Sequence, residues 1–407
     1  MPCFATHLES TFDQSRLPLH QTQTTHGDRP IVVRYDLAAL RRLVSRDQLA
    51  ARPPGFWKWR ELLPHAKDED AVSLGENATP LLDCPRLAAR IGLRRLRIKD
   101  ESLLPTGSFK ARGMAMAVTM AKALGITHLA APTAGNAGGA LAAYAARAGI
   151  RCTVLMPQDT PIVNQIETAA YGAHTFLVDG LIHQCGAIVK EGAARGLWFD
   201  MSTMKEPYRL EGKKTMGLEL CEQMGWRLPD AIFYPTGGGT GLLGMWKAFS
   251  ELQQLGWLDE ERRPRMFACQ AEGCAPVVRA FAAGSDVAEL VENAHTSASG
   301  LRVPKPFADR MILACLRESN GRAIAAKEGE LRSWAETAMA LEGIAVCPET
   351  GACLAALQQC VRNGTTPRDS DVVVFNTGAA QKYVEAFAVE LPRLQRAALD
   401  WDLLARG

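Results

Sequence analysis

From about Leu81 onward the chain alternates short strand-like runs with helical stretches, and this alternation constrains the fold more than any other feature of the sequence. The runs are RLRIKD, HLAAPT, RCTVLMP, HTFLVDG, AIFYPT, RMFACQ and DVVVFNT. Strands separated by helices predict an α/β architecture with largely parallel sheets, since a parallel partner is reached through a crossover. Ligands of such sheets bind at the carboxyl ends of the strands. The glycine-rich segments fall there, at residues 133–139, at residues 237–244 and at Gly378. Past the second of these, Leu242, Trp246, Phe249 and Leu252 recur at helical spacing, so that loop is predicted to open an amphipathic helix.

The chain has 407 residues, 47% of them hydrophobic and 22% charged, which is more than one core usually serves. Two domains are expected, and the cleft between two domains suits a cofactor. Its 46 basic and 44 acidic residues nearly cancel and form no long basic run, which argues for a small-molecule substrate and against nucleic acid or an anionic membrane. The N-terminus lacks a basic start followed by an apolar stretch, no segment approaches ~18 uninterrupted apolar residues, and a cytoplasmic protein is expected. Eleven cysteines without a CxxC predict buried, reduced thiols rather than a disulfide framework, and Cys269 with Cys274 or Cys347 with Cys353 are read as packing. The first seventy-odd residues, with Pro53, Pro54 and the stretch FWKWR, are assigned to an arm packed on the core.

Four segments carry candidate chemistry. In PTGSFKARG, Lys110 stands among small residues at a predicted helix start, where desolvation and positive potential can lower its pKa and make it a nucleophile. In PTAGNAGGA a strand runs into a turn at Asn136, where free backbone N–H groups can take a carboxylate and the amide can reach a phenolic oxygen on a bound ring. In YPTGGGTGLLG, consecutive glycines between strand and helix let the backbone wrap a phosphate. In DVVVFNTG, Thr377 ends a strand, and a hydroxyl there can pair with a pyridine nitrogen without adding charge. Each segment alone has an ordinary explanation as a surface lysine or a tight turn. Gly239, Gly241 and Gly244 also spell GxGxxG, but a dinucleotide site wants an acid about 20 residues on, and the next strand end bearing one is at Glu272.

Taken in order, the early lysine, the glycine–asparagine turn, the central phosphate loop and the final hydroxyl resemble the fold-type II, tryptophan-synthase-like enzymes that use pyridoxal 5′-phosphate (PLP). The likeness spans roughly Leu81 to Tyr383, and within the superfamily the chain most resembles threonine synthase-like members. VRYDL, PYRLEGKKT, PTGGGTGLLGMWKAF, SASGLRVPK, VCPETGA and FNTGAAQKY carry it. The resemblance implies two open, twisted, mostly parallel sheets flanked by helices, with PLP in the cleft between domains. It divides the chain into an arm at 1–75 with an eroded zinc-ribbon-like segment, a large cofactor-binding domain at 76–113 and 209–400, and a small substrate-side domain at 114–208.

By the same resemblance Lys110 is the Schiff-base lysine and proton carrier, with Phe109 packed near the ring and Asn136 partnering the cofactor's 3′-oxygen. Gly237, Gly238, Gly239, Thr240 and Gly241 would hold the cofactor phosphate, and Thr377 the ring nitrogen. Thr133, Ala134, Gly135 and Ala137 would hold the substrate carboxylate, and Arg209 a substrate phosphate. The implied reaction eliminates phosphate from O-phospho-L-homoserine and adds water to give L-threonine. A serine/threonine-type ammonia-lyase is the alternative, and a catalytically silent amino-acid or partner binder is a third reading that the presence of Lys110 opposes. Three departures bear on the substrate: Ala111 stands where the family commonly has Asp, the last loop reads TGAAQK rather than TGxGLK, and Thr203 with Met204 replaces an Asn-Ser pair. Only Cys3, with His7, His20 and His26, remains where relatives carry a cysteine ribbon, so no metal is expected. A homodimer is expected, as in many relatives.

Overall fold

The computed structural model describes residues 3–64, 68–260 and 262–391, together with 393, 394, 396, 401 and 404. Residues 1, 2 and 65–67 of the expected arm, and 261, 392, 395 and 397–400 of the expected large domain, lie outside the described residues. Two largely parallel sheets dominate. The larger has six strands in the order Arg322–Ala326, Arg265–Ala271, Ala231–Pro235, Asp371–Asn376, Arg95–Asp100 and Leu81–Asp83. Its neighbours run parallel except for the last pair. The smaller has four parallel strands in the order Phe199–Asp200, His128–Pro132, Arg151–Pro157 and His174–Val178.

All seven runs read from the sequence lie on these strands. Every residue of Ala231–Pro235 is buried, as expected of a central parallel strand covered by helices on both faces. The strand Arg322–Ala326 was not anticipated: its sequence RAIAA is mostly alanine and carries little β-branched or aromatic signal.

The N-terminal region is more ordered than an arm of turn formers. Arg16–Leu17, Ala5–Ser10, Arg29–Tyr35 and Thr25–His26 form a separate antiparallel sheet, and two of its strands are too short to show any periodicity. The Cys3 thiol lies 3.9 Å from the Leu63 carbonyl oxygen, and His26 Nε2 is 3.4 Å from Asp13. Among the described residues no group of three His, Cys, Asp or Glu side chains is placed to hold a metal ion, and no helix is long and apolar enough to cross a membrane.

The path of the chain through the larger sheet creates the site. After Ala231–Pro235 it moves outward to Arg265–Ala271 and Arg322–Ala326, and Asp371–Asn376 then returns to the other side of Ala231–Pro235. The loops leaving these two neighbours begin at Thr236 and Thr377. They diverge and leave a crevice at the carboxyl edge of the sheet, the position where open α/β sheets bind ligands.

Candidate active site

Lys110 is the first residue of the helix Lys110–Ala123, and the segment before it is stitched to the last strand. Phe109 N–H donates to the Thr377 carbonyl at 3.1 Å, Ala379 N–H donates to the Gly107 carbonyl at 2.9 Å, and Ser108 bridges to Gly378. Lysine and threonine, far apart in sequence, are thereby held in one frame. Below them the buried Arg112 guanidinium donates to Glu101 at 2.6 and 2.9 Å, to Glu219 at 3.0 Å and to Thr215 at 3.1 Å. Ion-pair networks of this kind add little net stability, but breaking one is costly, so the first helical turn is fixed in place.

Burial, and after it the positive charge of Arg209, bring the Lys110 amine down from 10.5 to about 7, with Glu349 and Cys347 pulling the other way. A second amine shares its neighbourhood. Lys110 Nζ and Lys213 Nζ lie 4.0 and 4.1 Å from the centroid of the Phe109 ring, and the buried Lys213 donates to the Phe109 carbonyl. Burial, then Lys110 and Arg209, holds the Lys213 amine well below the usual lysine range. Near neutral pH, then, a large share of Lys110 is the free amine, the form required of an amine nucleophile, where an ordinary lysine is almost wholly protonated. Lys213 was not singled out from the sequence, although it sits in PYRLEGKKT.

Three helices begin at the same cavity without a side-chain cap: Lys110–Ala123, Asn136–Ala148 and Thr240–Leu255. Uncapped first turns leave backbone N–H groups unpaired and add the positive ends of the helix dipoles, so the cavity favours anions. The loop before Thr240 reaches it only because side chains are absent. Gly239 has φ of 79°, and a Cβ on Gly237 would fall 2.5 Å from the Gly300 carbonyl oxygen. Gly237→Ala is expected to weaken cofactor retention by on the order of tenfold, ~1.4 kcal/mol, measured by visible absorbance after dialysis against a range of free cofactor concentrations.

Every site residue named from the sequence faces this one cavity: Phe109, Lys110, Thr133 to Ala137, Arg209, Gly237 to Gly241, and Thr377. In the loop expected to take the substrate carboxylate, Thr133 Oγ1 accepts from Gly135 N–H at 3.1 Å and tightens the turn into the helix. Arg209 is 3% exposed and donates through Nη1 to the Met201 carbonyl at 2.8 Å. Among the described residues no carboxylate lies within ion-pair distance of its guanidinium. Glu211, the partner a purely structural role would have used, is occupied by the Tyr35 hydroxyl at 2.7 Å, Lys214 at 2.8 Å and Lys247 at 3.1 Å. The cavity is completed by Tyr234, Ser299, Gly300, Arg302, Glu349 and Tyr383, to which no role was given from sequence. Their signal was present, since five of them lie in SASGLRVPK, VCPETGA and FNTGAAQKY.

The family profile described as pyridoxal-phosphate dependent enzyme matches residues 72–378. The chain belongs to this family. It is 33% identical over 353 residues to a threonine synthase of Methanocaldococcus jannaschii, covering 86% of each chain. It is 35% identical over 345 residues to a threonine synthase of Methanosarcina acetivorans, covering 84% of each. Among solved structures, maize serine racemase superposes with a TM-score of 0.64 at 20% identity, over 75% of this chain and 88% of that one. The serine racemase of Dictyostelium discoideum does so at 0.62 and 22%, over 77% and 94%. These likenesses give the fold as that of the fold-type II PLP enzymes.

The residues present fit that cofactor. Asn136 Nδ2 donates to the Tyr383 hydroxyl at 2.9 Å, while its Oδ1 is buried and has no hydrogen-bond partner among the described residues. Turning the amide over lets Tyr383 donate to Oδ1 and frees Nδ2 for a phenolic oxygen, so the unmet hydrogen bond is one a pyridoxal ring can satisfy. The glycine cradle with its uncapped helix suits a phosphate, and the near-neutral Lys110 amine suits an aldehyde.

Proposed function

We propose that this PLP-dependent enzyme is a threonine synthase, a carbon–oxygen lyase that converts O-phospho-L-homoserine and water into L-threonine and inorganic phosphate. The observation that carries the reading is Arg209. A buried guanidinium that feels Glu206 and Asp200 but makes no ion pair among the described residues, on the same cavity as Lys110, is a costly arrangement that a phosphate-bearing substrate would complete. The names of the archaeal relatives support the same assignment.

The cofactor, when bound, supplies an electron sink for negative charge at the substrate carbons. The chain's own residues do the rest. The loop from Gly237 to Gly241 would hold the cofactor phosphate, Asn136 its 3′-oxygen and Thr377 its ring nitrogen, with Phe109 packed beside Lys110. Backbone N–H groups of residues 133–137 would take the substrate carboxylate at the start of the helix Asn136–Ala148. Lys110, released as a free amine when substrate arrives, accepts the Cα proton and delivers protons farther along the side chain. Arg209 holds the γ-phosphate as the C–O bond breaks and the departing oxygen keeps the electron pair. Water then bonds through its oxygen at Cβ, and the proton it gives up returns by way of Lys110 to Cα.

The reading includes a small amino-acid substrate and a cytoplasmic homodimer, the latter checked by sedimentation. Purified enzyme should release phosphate from O-phospho-L-homoserine and form threonine in equal amount. Rapid 2-oxobutyrate release from threonine, without phosphate release from O-phospho-L-homoserine, would replace the synthase with the ammonia-lyase.

A further inference from the structure

Glu349 is a carboxylate on the cavity wall that the reaction as described does not use. It lies in the first turn of the helix Pro348–Arg362. The side chain is 3% exposed. Oε1 accepts from Gly300 N–H at 2.8 Å, whereas Oε2 is buried and makes no hydrogen bond among the described residues. A buried carboxylate oxygen left unpaired costs several kcal/mol unless something supplies a donor. The neighbouring Tyr383 hydroxyl and Cys347 thiol can offer it only neutral donors, and Arg302, from the same loop as Gly300, is turned to Asp159 in a bidentate pair at 2.5 and 2.6 Å, so among the described residues no cation is paired with this carboxylate.

An amino acid enters as a zwitterion, and its α-ammonium must lose a proton before the nitrogen can act as a nucleophile. We propose that Glu349 receives the α-ammonium group of the incoming amino acid and takes that proton. An N–H bond breaks and its electron pair stays on nitrogen, while an O–H bond forms on Oε2. The inference rests on reading this cavity as the place where an amino acid reacts, but not on which amino acid.

The ionisable groups that face Glu349 are Lys110, Cys347, Cys353 and Tyr383. Burial, followed by Glu349, pushes the Cys347 thiol up to about 12, and Cys353 and Tyr383 lie well above their usual ranges, so of these only Lys110, at about 7, titrates near neutrality. On the proposed reading Lys110 is engaged by the cofactor in the loaded enzyme, so its own titration does not shape substrate capture.

Glu349→Gln tests this, because the amide oxygen still accepts from Gly300 and a purely structural role would survive. Wild-type kcat/KM should stay flat between about pH 6.5 and 8.5. In the variant it should fall by on the order of a hundredfold at pH 7, and rise by about tenfold per pH unit as solution base takes over the deprotonation. Glu349→Asp, which keeps the charge, should restore a flatter profile. A readout independent of turnover is the pH of half-labelling of Lys110 in cofactor-free protein by an amine-reactive reagent. Loss of the neighbouring negative charge should lower it.

A variant profile parallel to wild type, with unchanged Lys110 labelling, overturns the inference. Wild-type enzyme that ignores O-phospho-L-homoserine overturns the synthase reading instead. The same profiles are then measured with whichever amino acid it does consume, and an enzyme that consumes none overturns both.

Discussion

Lys110→Ala is expected to reduce turnover by on the order of 10⁴-fold or more, ~5.4 kcal/mol of transition-state stabilisation. On the proposed reading one side chain serves as attachment point and as proton carrier, and a methyl group can do neither. The protein should still fold, because Arg112, not Lys110, ties the helix to the core through Glu101 and Glu219. Its cofactor-free form should in fact gain stability. The folded-state pKa of Lys110, about 7, lies below the ordinary 10.5, so the wild-type chain loses stability as pH falls from 10.5 to about 7 and loses no more from this group below that. The gain from alanine should be largest at or below pH 7 and vanish above pH 10.5. Urea titrations at several pH values check the second result, and phosphate release checks the first. A gain that did not change with pH would mean that Lys110 is not held neutral.

The second large effect is expected at Arg209. Its guanidinium is anchored at one end by the Met201 carbonyl, and its plane can present the remaining N–H groups to two phosphate oxygens. Lysine keeps the charge but not the fork. Arg209→Lys should lower kcat/KM for O-phospho-L-homoserine by about a hundredfold, ~2.7 kcal/mol, with the cofactor's absorbance unchanged. The nearby Glu206 sharpens the expectation. Burial pushes its carboxyl up to about 7, against the pull of Arg209, while its oxygens accept from the N–H groups of Tyr208 and Arg209. Glu206 therefore caps the helix and is a weak competitor for the guanidinium. If Arg209→Lys left phosphate release intact, the substrate phosphate would have to bind elsewhere.

The sequence alone carried the architecture and the class of chemistry, for a local reason. Parallel strands and the helices between them write their burial into nearby residues, and the loops that meet a phosphate or a carboxylate must be glycine-rich where backbone approaches an anion. Ala231–Pro235, Thr240–Leu255 and the helix start at Lys110 were therefore legible, and so were many of the residues that converge on the cavity, though not Tyr234, Ser299, Gly300, Arg302, Glu349 or Tyr383. Where the signal was weak, the elements were short or alanine-rich, as in Arg16–Leu17, Thr25–His26 and Arg322–Ala326.

Tertiary structure decided which partners meet. Arg209 could have paired with Glu211 two positions away, but on a helix i and i+2 point apart, and Glu211 instead turns to Tyr35, Lys214 and Lys247. That the Gly300 loop closes over Gly237, that Lys213 sits beside the Phe109 ring, and that Glu349 is left with one unpaired oxygen are contacts between segments far apart in the chain. No local pattern encodes such contacts. They arise because the return of Asp371–Asn376 beside Ala231–Pro235 brings the loops together, and only packing then determines which buried charge finds a partner and which is left for a ligand.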